Sequence, residues 1–406
     1  MTSYQNFHLK EVLENQAYII QSDEEALAIA QDLSQKFKAE AVQRDQNRIL
    51  PFEEIEAYSQ SGLWAITVPK QYGGAEVSSL TVAKVIALFS GVDGSIGQIP
   101  QNHFYALEVL RNTGTEQQKQ KFYTEVLKGA RFGNALAEFK TRSAAHKHTQ
   151  LIAAGNNYVI QGEKFYCTGS LFAHRIPTLV TDAEGREFLA FVKRNSQGLE
   201  IVDDWNGFGQ RITGSGTVKF NHVAVEQEDL IAFDTAFTQP TLVGPFAQIM
   251  HAAIEVGIAR AAFEETLRQV KQARPWIDSG LDRATQDPLT LLELGRVAAD
   301  VRASEVLLKQ AAQAIEVARP LPTVENIAQA SIEVAKVRAH STETALKASS
   351  KLIELAGSRG SQLKDGLDRF WRNARVHTLH DAARWKYYFI GQYVLNGVLP
   401  PRRGTL

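Results

Sequence analysis

Apolar and polar positions change their period twice along the chain. Up to about residue 130 the spacing is that of amphipathic helices. Ser22 with Glu25 forms a capping box that opens a helix predicted through Ala41, and Thr115 with Gln118 opens another through Leu127. Between them, the proline and paired glycines of segment 68–74 mark a turn. From about 131 to 235 the pattern becomes β-rich. Segments 158–166, 188–193 and 217–225 read as strands, with turn chemistry at Asn156-Asn157, Glu184-Gly185 and Gln197-Gly198. That alternation predicts a compact antiparallel β-barrel or sandwich. From 236 to 406 the period is helical again. Ile249, Val256, Phe263 and Val270 recur every seven residues, with Ala252 and Ala259 between them, which predicts a buried helix–helix seam. Asp287-Pro288 reads as a helix start, and Pro320 and Pro322 as the next boundary. The expected class is α+β in three domains: helical over 1–130, β over 131–235, a helical bundle over 236–406.

Composition narrows the function. A formal net charge of −1 over 406 residues gives no global field for nucleic acid or an anionic membrane. No apolar run is long enough to span a bilayer. Residues 1–20 are polar throughout and lack the apolar core of a secretory signal, so a cytoplasmic protein is expected. The single Cys167 excludes an internal disulfide and a cysteine-built metal site. Methionine is as scarce, at two residues. Chance explains that, and so does synthesis under sulfur shortage.

The densest chemistry lies in segment 368–381, with Arg369, Arg372 and Arg375 followed by His377, His380 and Asp381. On a continuous helix the last three share a face at i, i+3 and i+4, which makes a candidate acid–base device. The arginines suit an anionic ligand. The plain alternative is an ordinary helix carrying surface or satisfied core histidines. A metal site is a further alternative, disfavoured by the flanking arginines and Trp371. Cys167 reads better as a buried structural thiol than as a nucleophile. Segment 166–170 ends a strand, offering a hydroxyl and backbone N–H groups to a ligand, but reads equally as a turn; 133–138 and 203–209 are as ambiguous singly. The glycine pairs Gly207/Gly209 and Gly214/Gly216 lack dinucleotide-fingerprint spacing. A nicotinamide cofactor, if the reaction needs one, is therefore not expected on this chain.

Taken together these segments resemble one family. Ser95-Ile96-Gly97 with His103, Gly133-Asn134-Ala135, 166–169, Asp203-Asp204-Trp205, Ala273-Arg274-Pro275-Trp276, Asp287-Pro288 and 368–381 occur in order. The chain looks like the flavin-dependent monooxygenases of acyl-CoA dehydrogenase fold. It is most similar to the bacterial sulfur-acquisition oxidoreductases and more distantly to dibenzothiophene monooxygenase. The resemblance implies an N-terminal helical domain, a middle antiparallel β-barrel and a C-terminal four-helix bundle. It implies Thr168 at the flavin N5 edge, Tyr166 against the ring, and Asn134 and Trp205 at the flavin site. Arg274 would reach the flavin phosphate of a neighbouring subunit, which implies a homotetramer. Arg372 joins the cofactor-binding set, and His103, Asn102 and Trp205 the substrate pocket. His377 and His380 match histidines near the flavin C4a position.

Two departures bear on substrate. Asp381 stands where several dehydrogenases of this fold carry a catalytic glutamate. Gln98 and Asn102 stand where dibenzothiophene monooxygenase carries a histidine and a tyrosine, which argues against a large aromatic substrate. The expected activity is oxygen transfer from a flavin C4a-hydroperoxide to a small organosulfur compound. His380, Thr168, His377 and Asp381 are the expected catalytic set, and no metal is expected. Reduced FMN, with FAD as the alternative, would come from a separate NAD(P)H:flavin reductase, and O2 is the co-substrate. A second reading is an acyl-CoA dehydrogenase or nitroalkane-oxidase-like flavoenzyme using Asp381 as base. A third is a fold relative that only binds a ligand.

Overall fold

The computed structural model describes residues 17–138, 148–155 and 157–405. Asn156 of the expected turn and residues 1–16 lie outside them. Among the described residues six α-helices come first: α1 (Asp23–Lys38), α2 (Ala41–Asn47), α3 (Phe52–Gln60), α4 (Ser79–Val92), α5 (Gly94–Thr113) and α6 (Glu116–Leu127). Ser22 caps α1 by accepting the Glu25 N–H. The Glu25 side chain returns one residue further back, to the Gln21 N–H. α1 stops at Lys38, and Ala41 starts a helix of its own. The Thr115–Gln118 box at α6 is complete.

Seven strands follow: β1 (Gln150–Ala154), β2 (Asn157–Lys164), β3 (Arg175–Thr181), β4 (Glu187–Lys193), β5 (Leu199–Ile201), β6 (Val218–Val225) and β7 (Leu230–Ala232). They form one sheet in the order β5-β6-β2-β1-β3-β4-β7. This is not the closed antiparallel barrel that the sequence suggests. β1 meets β3 in parallel at a single pair, Gln150 with Thr181, and the three-residue strands β5 and β7 form open edges. Residues 132–135 run parallel to the rest of β3, through Gly133 N–H to Arg175 O and Ala135 N–H to Pro177 O. Period-two alternation reports which side of a strand is buried; it carries no information on whether the outermost strands meet.

The last five helices are α7 (Val243–Val270), α8 (Pro288–Ala318), α9 (Val324–Leu355), α10 (Asp368–His377) and α11 (Ala383–Asn396). The heptad positions Ile249, Val256 and Val270 are buried, as are Ala252 and Ala259, while Phe263 is half-buried. Asp287 caps α8 through the N–H groups of Leu289 and Thr290, with Pro288 in the first turn. Alternation along β3 and β4 splits their side chains between two cores. Leu179, Leu189 and Phe191 join the helical core, and Ile176, Val180, Ala190 and Val192 fill the core on the other face of the sheet. The sheet is thereby fixed against the helices, and its strand-end loops come to lie beside α5 and α10. Among the described residues no helix is long and apolar enough to cross a membrane.

Candidate active site

The site builds outward from α10. Asn373 and His377 are four residues apart on this helix, so they share a face, and both are buried. Asn373 faces the strand-end loops, accepting the Gln210 N–H at its Oδ1 (2.7 Å), and the Gln210 side chain reaches the Gly94 carbonyl at the start of α5 (3.1 Å). Gly209 is required here, because a Cβ on it would stand 2.0 Å from the Arg372 carbonyl oxygen.

From Gln210 a file of buried hydroxyls runs to Thr168. The Thr213 hydroxyl donates to the Gln210 carbonyl (3.0 Å), Thr213 and Ser215 hydroxyls are 2.7 Å apart, and Ser215 and Thr168 hydroxyls 2.6 Å. A carbonyl only accepts, so Thr213 uses its proton there. Ser215 then donates to Thr213, and Thr168 to Ser215. Thr168 Oγ1 thus keeps the capacity to accept a further hydrogen bond. The loop carrying it is strained: Tyr166, half-exposed, sits at φ 58°, a left-handed conformation uncommon for a bulky residue. Its ring meets Trp205 edge to face at 6.1 Å. Trp205 is itself fixed by its indole N–H to Gln210 O (2.8 Å), and its loop by the pairs Arg48–Asp203 and Thr217–Asp204.

Asn134 lies across from Tyr166. Its Nδ2 donates to the Tyr166 carbonyl (3.1 Å), while its Oδ1 is buried with no partner. Gln98 on α5 likewise buries an unpartnered Oε1. Two buried orphan acceptors are costly unless something donates to them. Asn134 and Thr168 both bond the Tyr166 backbone, so their oxygens lie beside the loop that carries the exposed Tyr166 ring. That donor-seeking, aromatic-walled set fits a planar heterocycle bearing N–H groups, as reduced flavin does.

On the other side, His377 leads into a second chain. Its Nδ1 is 3.1 Å from Glu255 Oε1, and its Nε2 is 3.1 Å from His251 Nδ1. The His251 ring lies against that of His380, with centroids 4.0 Å apart. His380 Nδ1 is 3.2 Å from Asp381 Oδ2, which also takes the Gln248 Nε2 hydrogen (2.9 Å) and has Lys386 at 4.0 Å. Glu255 is paired with Arg338 and accepts from Ser341 (2.7 Å) and Thr342 (3.0 Å). Burial alone would raise Glu255, but the Arg338 guanidinium and the His377 bond outweigh it and hold the carboxyl at about 2. Asp381 is held below its ordinary value against burial by His380, Lys386 and Arg338. Burial depresses His251 and His377, and each is also disfavoured as a cation by Arg338 and His380. Burial pushes Lys386 down to about 8.

The structure thus brings together Thr168, Tyr166, Asn134 and Trp205 on one side, and His377, His380 and Asp381 on the other. α10 ends at His377, so the shared helical face of the sequence reading is not what joins the last three. His380 and Asp381 stand in the turn before α11, and His251 on α7 supplies the link to His377. The sequence reading missed His251 and Glu255. Their signal was a histidine and a glutamate four residues apart in the mostly apolar first half of α7.

Other expected residues are engaged elsewhere. His103 is a core histidine: its Nδ1 accepts the Phe132 N–H (3.1 Å), its Nε2 donates to Trp64 O (2.8 Å), and burial pushes it down to about 3. Asn102 is half-buried one residue earlier on α5. Arg372 clamps Asp45, Asp368 (2.7 Å) and Phe208 O (3.0 Å), so its charge is spent within the chain. Arg369 stacks on Phe370 at 4.0 Å, with its Nε buried and unpartnered among the described residues. Arg274 is exposed on the loop after α7. Cys167 is buried, and burial raises its thiol. Among the described residues no group of three or more His, Cys, Asp or Glu side chains is placed to hold a metal ion.

Fold and site define an acyl-CoA dehydrogenase-type flavoprotein. Residues 23–130 match the acyl-CoA dehydrogenase N-terminal domain family, and 249–385 the acyl-CoA dehydrogenase C-terminal domain family. Dibenzothiophene monooxygenase from Rhodococcus qingshengii is 30% identical over 396 residues, covering 93% of this chain and 95% of that protein. FMN-bound TdsC from Paenibacillus sp. A11-2 superposes with a TM-score of 0.90 at 28% identity, covering 94% of this chain and 100% of that one. Methanesulfinate monooxygenase MsuC from Pseudomonas fluorescens does so with 0.87 at 27%, covering 94% and 99%. The chain belongs to the flavin-dependent monooxygenase family that shares the acyl-CoA dehydrogenase fold.

Proposed function

We propose that this enzyme uses reduced FMN and O2 to oxygenate a small organosulfur compound in sulfur acquisition. Reduced FMN, when bound, supplies the two electrons: O2, two electrons, two protons and the substrate give oxygenated product and water. Thr168, Asn134 and Gln98 would accept hydrogen bonds from the ring, and Tyr166 and Trp205 would wall it. His380, seated on Asp381 through Nδ1, would hold and deliver a proton at its Nε2, while the apolar helices around would exclude competing water. The observation that carries this reading is the pairing of orphan acceptors with a His380–Asp381 couple. Asp381 is tied to His380, Gln248 and Lys386, which suits a charge partner better than a free base drawing a proton from a thioester. Methanesulfinate, the substrate in the name of MsuC, supports a small substrate.

The electron supply would be a separate NAD(P)H:flavin reductase, and the working compartment the cytoplasm. The exposed Trp276 and Ile277 beside Arg274, and Trp385, Val394 and Leu395 on α11, favour a homo-oligomer, a tetramer by family resemblance, in which Arg274 meets a neighbour's flavin. Light scattering on the eluted protein should give a multiple of 45.0 kDa; a monomer would remove Arg274 from the site. For the activity, photoreduced FMN, air and a panel of alkyl sulfones, sulfinates and thio-compounds are combined, and oxygenated product is read by mass spectrometry. Turnover of an acyl-CoA thioester with an electron acceptor, and none with reduced FMN, would overturn the reading.

A further inference from the structure

Burial disfavours a proton on either of the two histidines behind His380, and with both rings neutral the hydrogen-bond geometry assigns their tautomers. Glu255, ionised against Arg338, can only accept, so His377 donates from Nδ1 and, neutral, keeps a lone pair at Nε2. His251 must then donate from Nδ1 to that lone pair, which leaves its own Nε2 unprotonated. Among the described residues His251 Nε2 has no hydrogen-bond partner, and its ring rests on His380. Every element around His251 contributes a charged or titratable group. α7 brings Glu255, α9 Arg338, α10 His377, the following turn His380 and Asp381, and α11 Lys386. The cations among them sit where a protonated His251 would be repelled, and Glu255 is already saturated by Arg338, Ser341, Thr342 and His377. Of the three imidazoles only His380 is open to solvent and bonded to its own carboxylate.

We propose that Arg338, Glu255, His377 and His251 form a tautomer lock, with His251 the positioning residue that confines the site's mobile proton to His380. The lock works through shape and dipole. The His251 ring is the surface against which His380 is held, and the chain behind it fixes which ring edge faces His380. A second proton on the pair is thereby excluded, so His380 delivers and recovers one proton per cycle. This deepens the proposed oxygenase reading and rests on it for what the proton does.

The test has two independent readouts. In flavin-free protein labelled with 15N-histidine, His251 and His377 should show protonated Nδ1 and unprotonated Nε2 from about pH 5 to about pH 8. A protonated or mixed Nε2 on either would overturn the lock. In turnover, His251→Asn retains an N–H donor toward His377 but removes the ring face, and His251→Phe retains a ring without donor or lone pair. Both should raise hydrogen peroxide released per product by about tenfold or more, as a misplaced acid does, and should change the pH profile of that ratio. A wild-type ratio and profile in His251→Phe, with the fold intact by circular dichroism, would remove His251 from the mechanism. If wild-type protein makes no oxygenated product, the proposed function fails, while the 15N measurement still decides the lock.

Discussion

At the scale of single residues, hydrogen-bond polarity decides more than residue type. Thr168 was legible in the sequence as a hydroxyl at a strand end. That its oxygen keeps the capacity to accept was not, because Ser215, Thr213 and the Gln210 carbonyl are set by the fold of a loop over 40 residues away in sequence. Reduced flavin carries N–H at N5 where oxidised flavin carries a lone pair, so with Thr168 at N5 as proposed the file would favour the reduced form. Thr213→Val frees Ser215 to donate to Thr168 and leaves Thr168 free to donate. Losing one hydrogen bond's preference, about 1 kcal/mol, should lower the affinity ratio of reduced to oxidised FMN about fivefold. Anaerobic titrations of both forms measure it, and an unchanged ratio refutes the assigned proton order. His380→Ala should release more peroxide and less product from the same FMN consumed. An equal split would take His380 out of the chemistry. His103 is the converse lesson. The sequence places it in a motif run, but both its nitrogens serve the helical core, and sequence has no measure of burial in three dimensions.

Among elements, helix ends and close approaches do the positioning. The sequence correctly marks the starts of α6 and α8, where capping chemistry is local. It overruns α1 and α10, where the stop is tertiary. α10 ends at His377 because its last turn is held by Glu255 and His251 of α7, and the chain then turns to seat His380 and Asp381. The spacing of the two histidines was visible; the second helix between them was not. α10 also receives the loop of Trp205, and Gly209 permits it. Gly209→Ala puts a methyl into the Arg372 carbonyl, and overpacking of this kind costs about 1–3 kcal/mol. The loop should lift, loosening Trp205 and the Gln210–Asn373 bond together. A lower melting temperature with weaker FMN binding is expected, and wild-type values of both would contradict the contact.

For the whole molecule, the order of helical, β and helical regions was legible because each period persists over many residues. The open, mixed sheet was not, since its parallel joint rests on one residue pair. Buried neutral imidazoles make stability depend on acid. His103, His251 and His377 would each take a proton near 6.5 when unfolded, but His103 does so in the fold only at about 3, and the other two are depressed as well. Below about pH 6.5 the unfolded state therefore binds more protons. Stability should fall as pH drops, by up to about 1.4 kcal/mol per pH unit for each such imidazole. Glu255 adds to the loss further down, since its contribution is present above 4.5 and disappears as pH falls through about 2. Thermal melts from about pH 7 to about pH 5 check the first part, and a flat melting temperature would contradict it.

The left-handed backbone at Tyr166 carries a wider implication. A residue held there against its steric preference costs on the order of 1 kcal/mol or more. Asparagine tolerates that conformation better, so Tyr166→Asn is a route to a sturdier protein at the expense of the ring beside Trp205. Selection for heat resistance alone would drift toward that change and discard the aromatic wall proposed for the cofactor. Screens for improved variants of this chain therefore have to score turnover and persistence in the same round.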